Sequence, residues 1–214
     1  MRLVLFDVDD TLVHAGSLHS ESFSYALRKV HGIDTEGMDF DRHGMLDKGI
    51  IRKMLEGYEG EIRYDDIYGF MADHYRRGID QEEVKLLPGV KELLDKLKSD
   101  DVAIGLNTGN IREIAYAKLE KAGIADYFTL GGFGTESFDR VELARITVES
   151  TGRGFDHVFI VGDTMKDVAA AKDNGFRSIG VATGKTSYDE LSAEADYVFH
   201  DLSDEKVAEV ILGE

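Results

Sequence analysis

From residue 84 onward, short β-branched or aliphatic runs alternate with longer stretches whose apolar positions recur every three to four residues. That is the pattern of repeated βα units. It predicts strands over 102–107, 127–130, 158–161, 178–181 and 197–199, and helices near 90–97, 111–122, 140–150, 165–174, 187–193 and 207–212. Residues 3–6 form one more run of strand type, far ahead of the others. Short apolar strands linked by helical segments imply an α/β fold, a mostly parallel sheet covered by helices on both faces.

Residues 14–83 follow a different rule. No strand is legible there, and apolar positions fall at helical spacing: Phe23, Ala26, Leu27 and Val30, then Ile50, Ile51, Met54 and Leu55, then Ile67, Phe70, Met71, His74 and Tyr75. The expected organisation is an α/β core over 1–13 and 84–214 and a small all-helical domain inserted over 14–83. The entry, His14-Ala15-Gly16-Ser17, is small and contains a glycine. The exit, Leu87-Pro88-Gly89, holds the single proline and opens a helix. Two such crossings make a hinge.

Composition narrows the partners. With 42 acidic against 25 basic residues and a net charge of −17, the mean field repels phosphate backbones and anionic lipid, so neither nucleic acid nor a membrane is an expected partner. A 43% apolar content with 11 Phe and 9 Tyr supplies a core despite the acidity. The absence of cysteine excludes disulfides, thiolate catalysis and Cys-ligated metal, leaving oxygen or imidazole to hold any ion. No apolar run approaches a membrane span or a signal sequence, so a cytoplasmic location is expected.

Three polar clusters follow predicted strands. Asp7-Val8-Asp9-Asp10-Thr11 comes directly after residues 3–6, Asn107-Thr108-Gly109-Asn110 ends the second, and Gly162-Asp163-Thr164-Met165-Lys166-Asp167 follows the strand over 158–161 and opens a helix. Ligands of open α/β sheets bind at the carboxyl ends of strands, where these groups stand. Each cluster alone has an ordinary explanation as a solvated turn, an N-cap or an acidic helix start. All three in order, each at a strand end, arise by chance about one time in a hundred or less.

At these residues the sequence resembles the haloacid dehalogenase-like hydrolase superfamily, and within it the phosphoglycolate phosphatase-like branch with a helical cap inserted after the first motif. The resemblance covers nearly the whole chain and implies a Rossmann-like sheet. It also implies a phosphomonoester hydrolase using Mg²⁺ and an aspartyl-phosphate intermediate, acting on a small phosphorylated metabolite of phosphoglycolate or sugar-phosphate type. By the same resemblance, Asp7 is the nucleophile, Asp9 the acid and base, and Thr108 a holder of phosphoryl oxygens. The metal falls to Asp7, the Asp9 main-chain carbonyl and Asp163, with Asp167 beside it. Hard oxygen donors suit that ion, which would relieve the repulsion between a carboxylate and a phosphate. Substrate contacts are expected from Thr11, Asn107, Gly109 and Asn110, and from His19, His43 and Lys48 of the cap.

One position departs from the family pattern. Where a lysine usually precedes the helix before the last motif, this chain has Phe138-Asp139-Arg140-Val141. Arg140 is assigned the cationic role, with Arg145 and Lys166 as the alternatives. Arginine supplies charge and two donors but is not isosteric with lysine. A sugar-phosphate mutase of the same superfamily and a binding or regulatory module without turnover remain as competing readings. The assembly expected is a monomer or homodimer.

Overall fold

The computed structural model describes residues 1–35 and 38–213. Its elements in chain order are β1 (Arg2–Phe6), β2 (Val13–Ala15), α1 (Leu18–His31), α2 (Asp47–Met54), α3 (Tyr64–Gly78) and β3 (Val84–Leu86). There follow α4 (Val90–Ser99), β4 (Ala103–Asn107), α5 (Arg112–Lys121), β5 (Leu130–Gly132), α6 (Arg140–Ser150) and β6 (His157–Gly162). The chain closes with α7 (Met165–Asp173), β7 (Arg177–Val181), α8 (Tyr188–Ser192), β8 (Tyr197–Phe199) and α9 (Lys206–Gly213).

Six strands form one parallel sheet in the order β5-β4-β1-β6-β7-β8, a Rossmann-like α/β architecture. β1 is central because Leu3, Val4, Leu5 and Phe6 are apolar on both faces and fully buried. Its alternation feeds two cores. Val4 and Phe6 pack with residues of α4, α5 and α9, whereas Leu3 and Leu5 pack with Ala144 of α6 and with Ala170 and Ala171 of α7. Register then sets the site: Phe6 pairs with Leu106 on one side and Val161 on the other. Asp7, Asn107 and Gly162 consequently leave the sheet at one level, and their loops share one crevice.

The helical insert has its own apolar cluster, centred on Phe23, Leu27, Ile51, Ile67, Met71 and Tyr75. Ile111 and Ile114, at the start of α5, complete it, so the insert seats directly on the loop after β4. Two details differ from the sequence pattern. The crossings at either end of the insert pair with each other as an antiparallel ribbon, Val13 with Leu86 and Ala15 with Val84. At three residues each, these strands are too short to show a period of two. The strand expected over 127–130 lies at Leu130–Gly132, after a single 3₁₀ turn at Ala125–Tyr127. Gly131 and Gly132 carry no side chain to enter a hydrophobic pattern, yet a Cβ at Gly132 would fall 2.0 Å from Thr147 Oγ1. Close packing therefore requires glycine where a pattern cannot reveal a strand.

Candidate active site

The three polar clusters converge on a cavity of about 280 Å³ between the sheet and the insert. Asp7, Asp9, Asp163, Gly109, Asn110 and Arg140 line it from the core, and His19, Arg42 and His43 line it from the insert. Asp7 follows β1 directly, and its main-chain N–H donates to Val161 O at 2.9 Å, which extends the strand pairing to the level of the cavity. At Asp10 the chain turns with φ 53°, a left-handed conformation that aspartate tolerates better than most residues. That turn brings Thr11 back beneath the site.

Carboxylate oxygens of Asp7, Asp163 and Asp167 lie within 4.8 Å of one another, and all three residues are buried. Burial, followed by repulsion from Asp7 and Asp167, pushes Asp163 up to about 9. Asp7 rises to about 6, again through burial first, with Arg140 opposing the shift and Asp167 and Asp9 adding to it. Asp163 Oδ2 is buried with no hydrogen-bond partner. Three hard oxygen donors crowded together with an unsatisfied acceptor fit a divalent cation of the Mg²⁺ type, whose charge would reverse these shifts. Gly184 makes room for this group, since a Cβ there would sit 1.8 Å from Asp163 Oδ2.

Arg140 supplies the positive charge on the other side. It is the first residue of α6, whose N-cap is Asp139, and it is buried. Its Nη2 lies 2.8 Å from Asp7 Oδ1 and 2.7 Å from Asp167 Oδ1, and it donates to Asn107 O at 2.8 Å. Burial opposes its charge, but Asp167 and Asp7 outweigh that cost and hold it firmly protonated. The two alternatives lie elsewhere. Arg145 pairs with Glu149 on the solvent face of α6, and Lys166 is exposed beside the Gly44 turn.

Other expected residues divide. Asn110 donates to Asp9 Oδ2 at 2.7 Å and to Thr108 Oγ1 at 2.9 Å. His43 lies over the acidic cluster, 4.0 Å from Asp163 Oδ2 and 3.2 Å from Thr186 Oγ1. Thr11 and Thr108 are fully buried beneath the cavity lining, with the Thr11 hydroxyl 3.4 Å from Asp163 Oδ1. Thr11 thus steadies an acid and has no surface to offer a substrate. The Asn107 carbonyl accepts from Arg140, and its side-chain amide is buried with no hydrogen-bond partner among the described residues. Gly109 lies where a Cβ would be 2.5 Å from Met45 O, so it admits the insert loop. His19 faces protein groups, Asp47 Oδ2 at 3.0 Å and Lys118 Nζ at 3.3 Å. Lys48 is outside the cavity lining, its ammonium 4.7 Å from the Phe138 ring centroid, and the expected substrate contact is corrected on that ground. It is the second residue of α2, one after the inward-facing Asp47, so helical rotation carries it away from the cavity.

Lys118 and Lys185, which no sequence motif marked, also line the cavity, as do Arg42 and Asp47 of the 42–48 loop. Lys118 is 1% exposed and lies 2.6 Å from Asp9 Oδ1. Desolvation alone would raise the Asp9 carboxyl, but the charge of Lys118 and hydrogen bonds from Lys118 and Asn110 hold it below the ordinary carboxylate range. Its signal was present: Ile111, Ile114, Ala115 and Leu119 are buried along α5, and Lys118 falls in the same stripe. Asp47 likewise shares the buried stripe of α2 with Ile50, Ile51 and Met54.

Fold and site together define an α/β enzyme with acids and a buried cation gathered at the carboxyl ends of parallel strands. The family model for haloacid dehalogenase-like hydrolases matches residues 4–181, and the chain belongs to that family. It is a phosphatase of the phosphoglycolate phosphatase-like branch. It is 28% identical to a phosphoglycolate phosphatase of Agrobacterium fabrum, with 94% of this chain and 89% of that protein aligned. It is 30% identical to a 5'-nucleotidase of Pseudomonas aeruginosa, with 89% and 86% aligned. Among solved structures, a predicted phosphatase from Clostridium acetobutylicum has the same fold, with a TM-score of 0.71 over 100% of this chain and 99% of that one at 24% identity. Among the described residues no helix is long and apolar enough to cross a membrane.

Proposed function

We propose that the chain is a Mg²⁺-dependent phosphomonoester hydrolase that acts on a small phosphorylated metabolite, of phosphoglycolate or sugar-phosphate type, through an aspartyl-phosphate on Asp7. The observation that carries this reading is the Asp7 carboxylate held between the buried Arg140 and the Asp163–Asp167 pair on the wall of a cavity of about 280 Å³. A cavity of that size suits a metabolite rather than a polymer.

In the first half-reaction an Asp7 oxygen attacks phosphorus and the bond from phosphorus to the ester oxygen breaks. The departing oxygen takes a proton from Asp9, whose carboxyl group Lys118 holds at 2.6 Å. In the second half, the Asp9 carboxylate removes a proton from water as that water attacks phosphorus, and the bond to Asp7 breaks. Arg140 offsets charge on Asp7 and on the phosphoryl oxygens, and Thr108 and Asn110 support the same loop. Mg²⁺ held by Asp7, the Asp9 carbonyl and Asp163 would supply charge neutralisation at the phosphoryl group. The helical insert acts as a cap: it excludes water, and Arg42 and His43 choose the substrate.

The test is phosphate release from a panel of small phosphomonoesters, phosphoglycolate and sugar phosphates included. The reading expects Mg²⁺-dependent turnover that Asp7→Asn abolishes. Undiminished rates in EDTA or in Asp7→Asn would overturn it.

A further inference from the structure

We propose that Lys118 is a positioning residue: it fixes the Asp9 carboxylate and ties it, through His19 and Asp47, to the seated helical insert. The role of Asp9 in this inference rests on the phosphatase reading above. A buried ammonium is costly unless its protons are all accepted. Lys118 Nζ lies 2.6 and 2.7 Å from the two Asp9 oxygens, 2.7 Å from Asn110 Oδ1 and 3.3 Å from His19 Nδ1. Asn110 turns its amide nitrogen to Asp9 Oδ2 at 2.7 Å, so lysine and amide hold the carboxylate from two directions.

The chain of contacts continues into the insert with a defined polarity. An ammonium has no lone pair, so His19 Nδ1 must accept from it, and the ring proton sits on Nε2. Nε2 then donates to Asp47 Oδ2 at 3.0 Å. The same Asp47 oxygen accepts the Ile111 N–H at 2.8 Å, and the Asp47 N–H donates to Gly109 O at 2.8 Å. Asp47 is 2% exposed, and no step of the proposed chemistry uses it. Lifting the insert would part His19 from Lys118 and Asp47 from Ile111, and admit water to the ammonium. The hold on Asp9 would weaken, since charge pairing falls as the local dielectric rises. Asp9 is thus held most tightly while the insert is seated.

The experiment compares first-turnover phosphorylation and steady-state kcat and KM of the full chain with Mg²⁺ on p-nitrophenyl phosphate and on glycerol phosphate, an alkyl ester whose leaving oxygen needs a proton. Lys118→Met should lose about 100-fold in kcat on the alkyl ester with little change in KM, and less in first-turnover phosphorylation by the aryl ester. Lys118→Arg, which keeps the charge, should recover part. Equal losses on both esters in first turnover, or no loss, would overturn the proposal. Should Lys118→Met fail to fold with Asp9 left unpaired, the Asp9→Asn/Lys118→Met double variant strands no charge. It should be no slower than Asp9→Asn alone, and a further loss of about tenfold would show that Lys118 acts elsewhere. Amide hydrogen exchange reads the tie to the insert without turnover: in the folded Lys118 variants the Ile111 N–H should exchange about tenfold faster. Unchanged exchange there overturns the tie. A wild-type chain inactive on every ester would refute the phosphatase reading, while the exchange comparison would still decide the link from Lys118 to the insert.

Discussion

Arg140 reaches from the first turn of α6 to place its Nη2 2.8 Å from Asp7 Oδ1, although the two residues are 133 positions apart in the chain. The guanidinium also touches Asp167 and the Asn107 carbonyl, so one side chain joins all three strand-end loops. Removing such a partner from a water-poor site costs about 2 to 4 kcal/mol of transition-state stabilisation, or roughly 30- to 1,000-fold in rate. Arg140→Ala should lose kcat/KM on that scale and Arg140→Lys should recover part of it. Arg145→Ala, on the solvent face, is the control and should turn over like the wild type. Kinetics on one good substrate check all three.

Metal binding should be linked to pH through the two raised acids. A carboxyl whose folded pKa exceeds its unfolded value stabilises the fold at low pH and loses that contribution as pH rises through the folded value. For Asp7, at about 6, and Asp163, at about 9, the metal-free protein loses this support progressively from about pH 4 upward. Mg²⁺ requires the ionised forms, so it restores what is lost. The rise in Tm that saturating Mg²⁺ gives over EDTA should be larger at about pH 8 than at about pH 6. Thermal denaturation at both values checks this. A gain that shrinks with pH would remove Asp7 and Asp163 from the metal site.

Gly109 should be irreplaceable for contact and not for chemistry. Its Cβ would meet the Met45 carbonyl at 2.5 Å, a main-chain atom that cannot swing aside. Gly109→Ala should destabilise the chain by about 1 to 3 kcal/mol, as overpacking does. A lowered urea midpoint with an unchanged slope is the expected result.

Arg42 and Lys48 separate what lines the cavity from what merely neighbours it. Arg42 lines the cavity with its guanidinium 4.9 Å from the Phe40 ring centroid, and no ion pair engages it among the described residues. Arg42→Ala should raise KM about tenfold, or ~1.4 kcal/mol, for an anionic metabolite. Lys48→Ala should leave kcat and KM within about twofold, the range of an ordinary surface change.

The sheet was legible because strands buried on both faces spell continuous apolar runs. The acids that end those runs, Asp7 and Asp163, can lie nowhere but at the crevice. Arg140 was legible from its place at a helix start. Lys118 and Asp47 were harder to read for a specific reason: lysine and aspartate are ordinarily surface residues, and only their phase against Leu119 and Ile51 marks them as inward. β5 lies at Leu130–Gly132, shifted from the expected 127–130, since Gly131 and Gly132 present no hydrophobic signal to mark its end. The pairing of β2 with β3 depends on two crossings meeting in space, which no local pattern records.

The central claim is that phosphorus passes through Asp7. Asp9→Asn should form the phosphoenzyme and then stall, because the carboxylate that activates water is gone. Acid-quenched Asp9→Asn, mixed with p-nitrophenyl phosphate and Mg²⁺ and digested for mass spectrometry, should carry a phosphoryl group on Asp7 in near-stoichiometric amount. Turnover by the wild type with no label on Asp7 in that variant, or a label that persists when Asp7 is also replaced by Asn, would contradict the account.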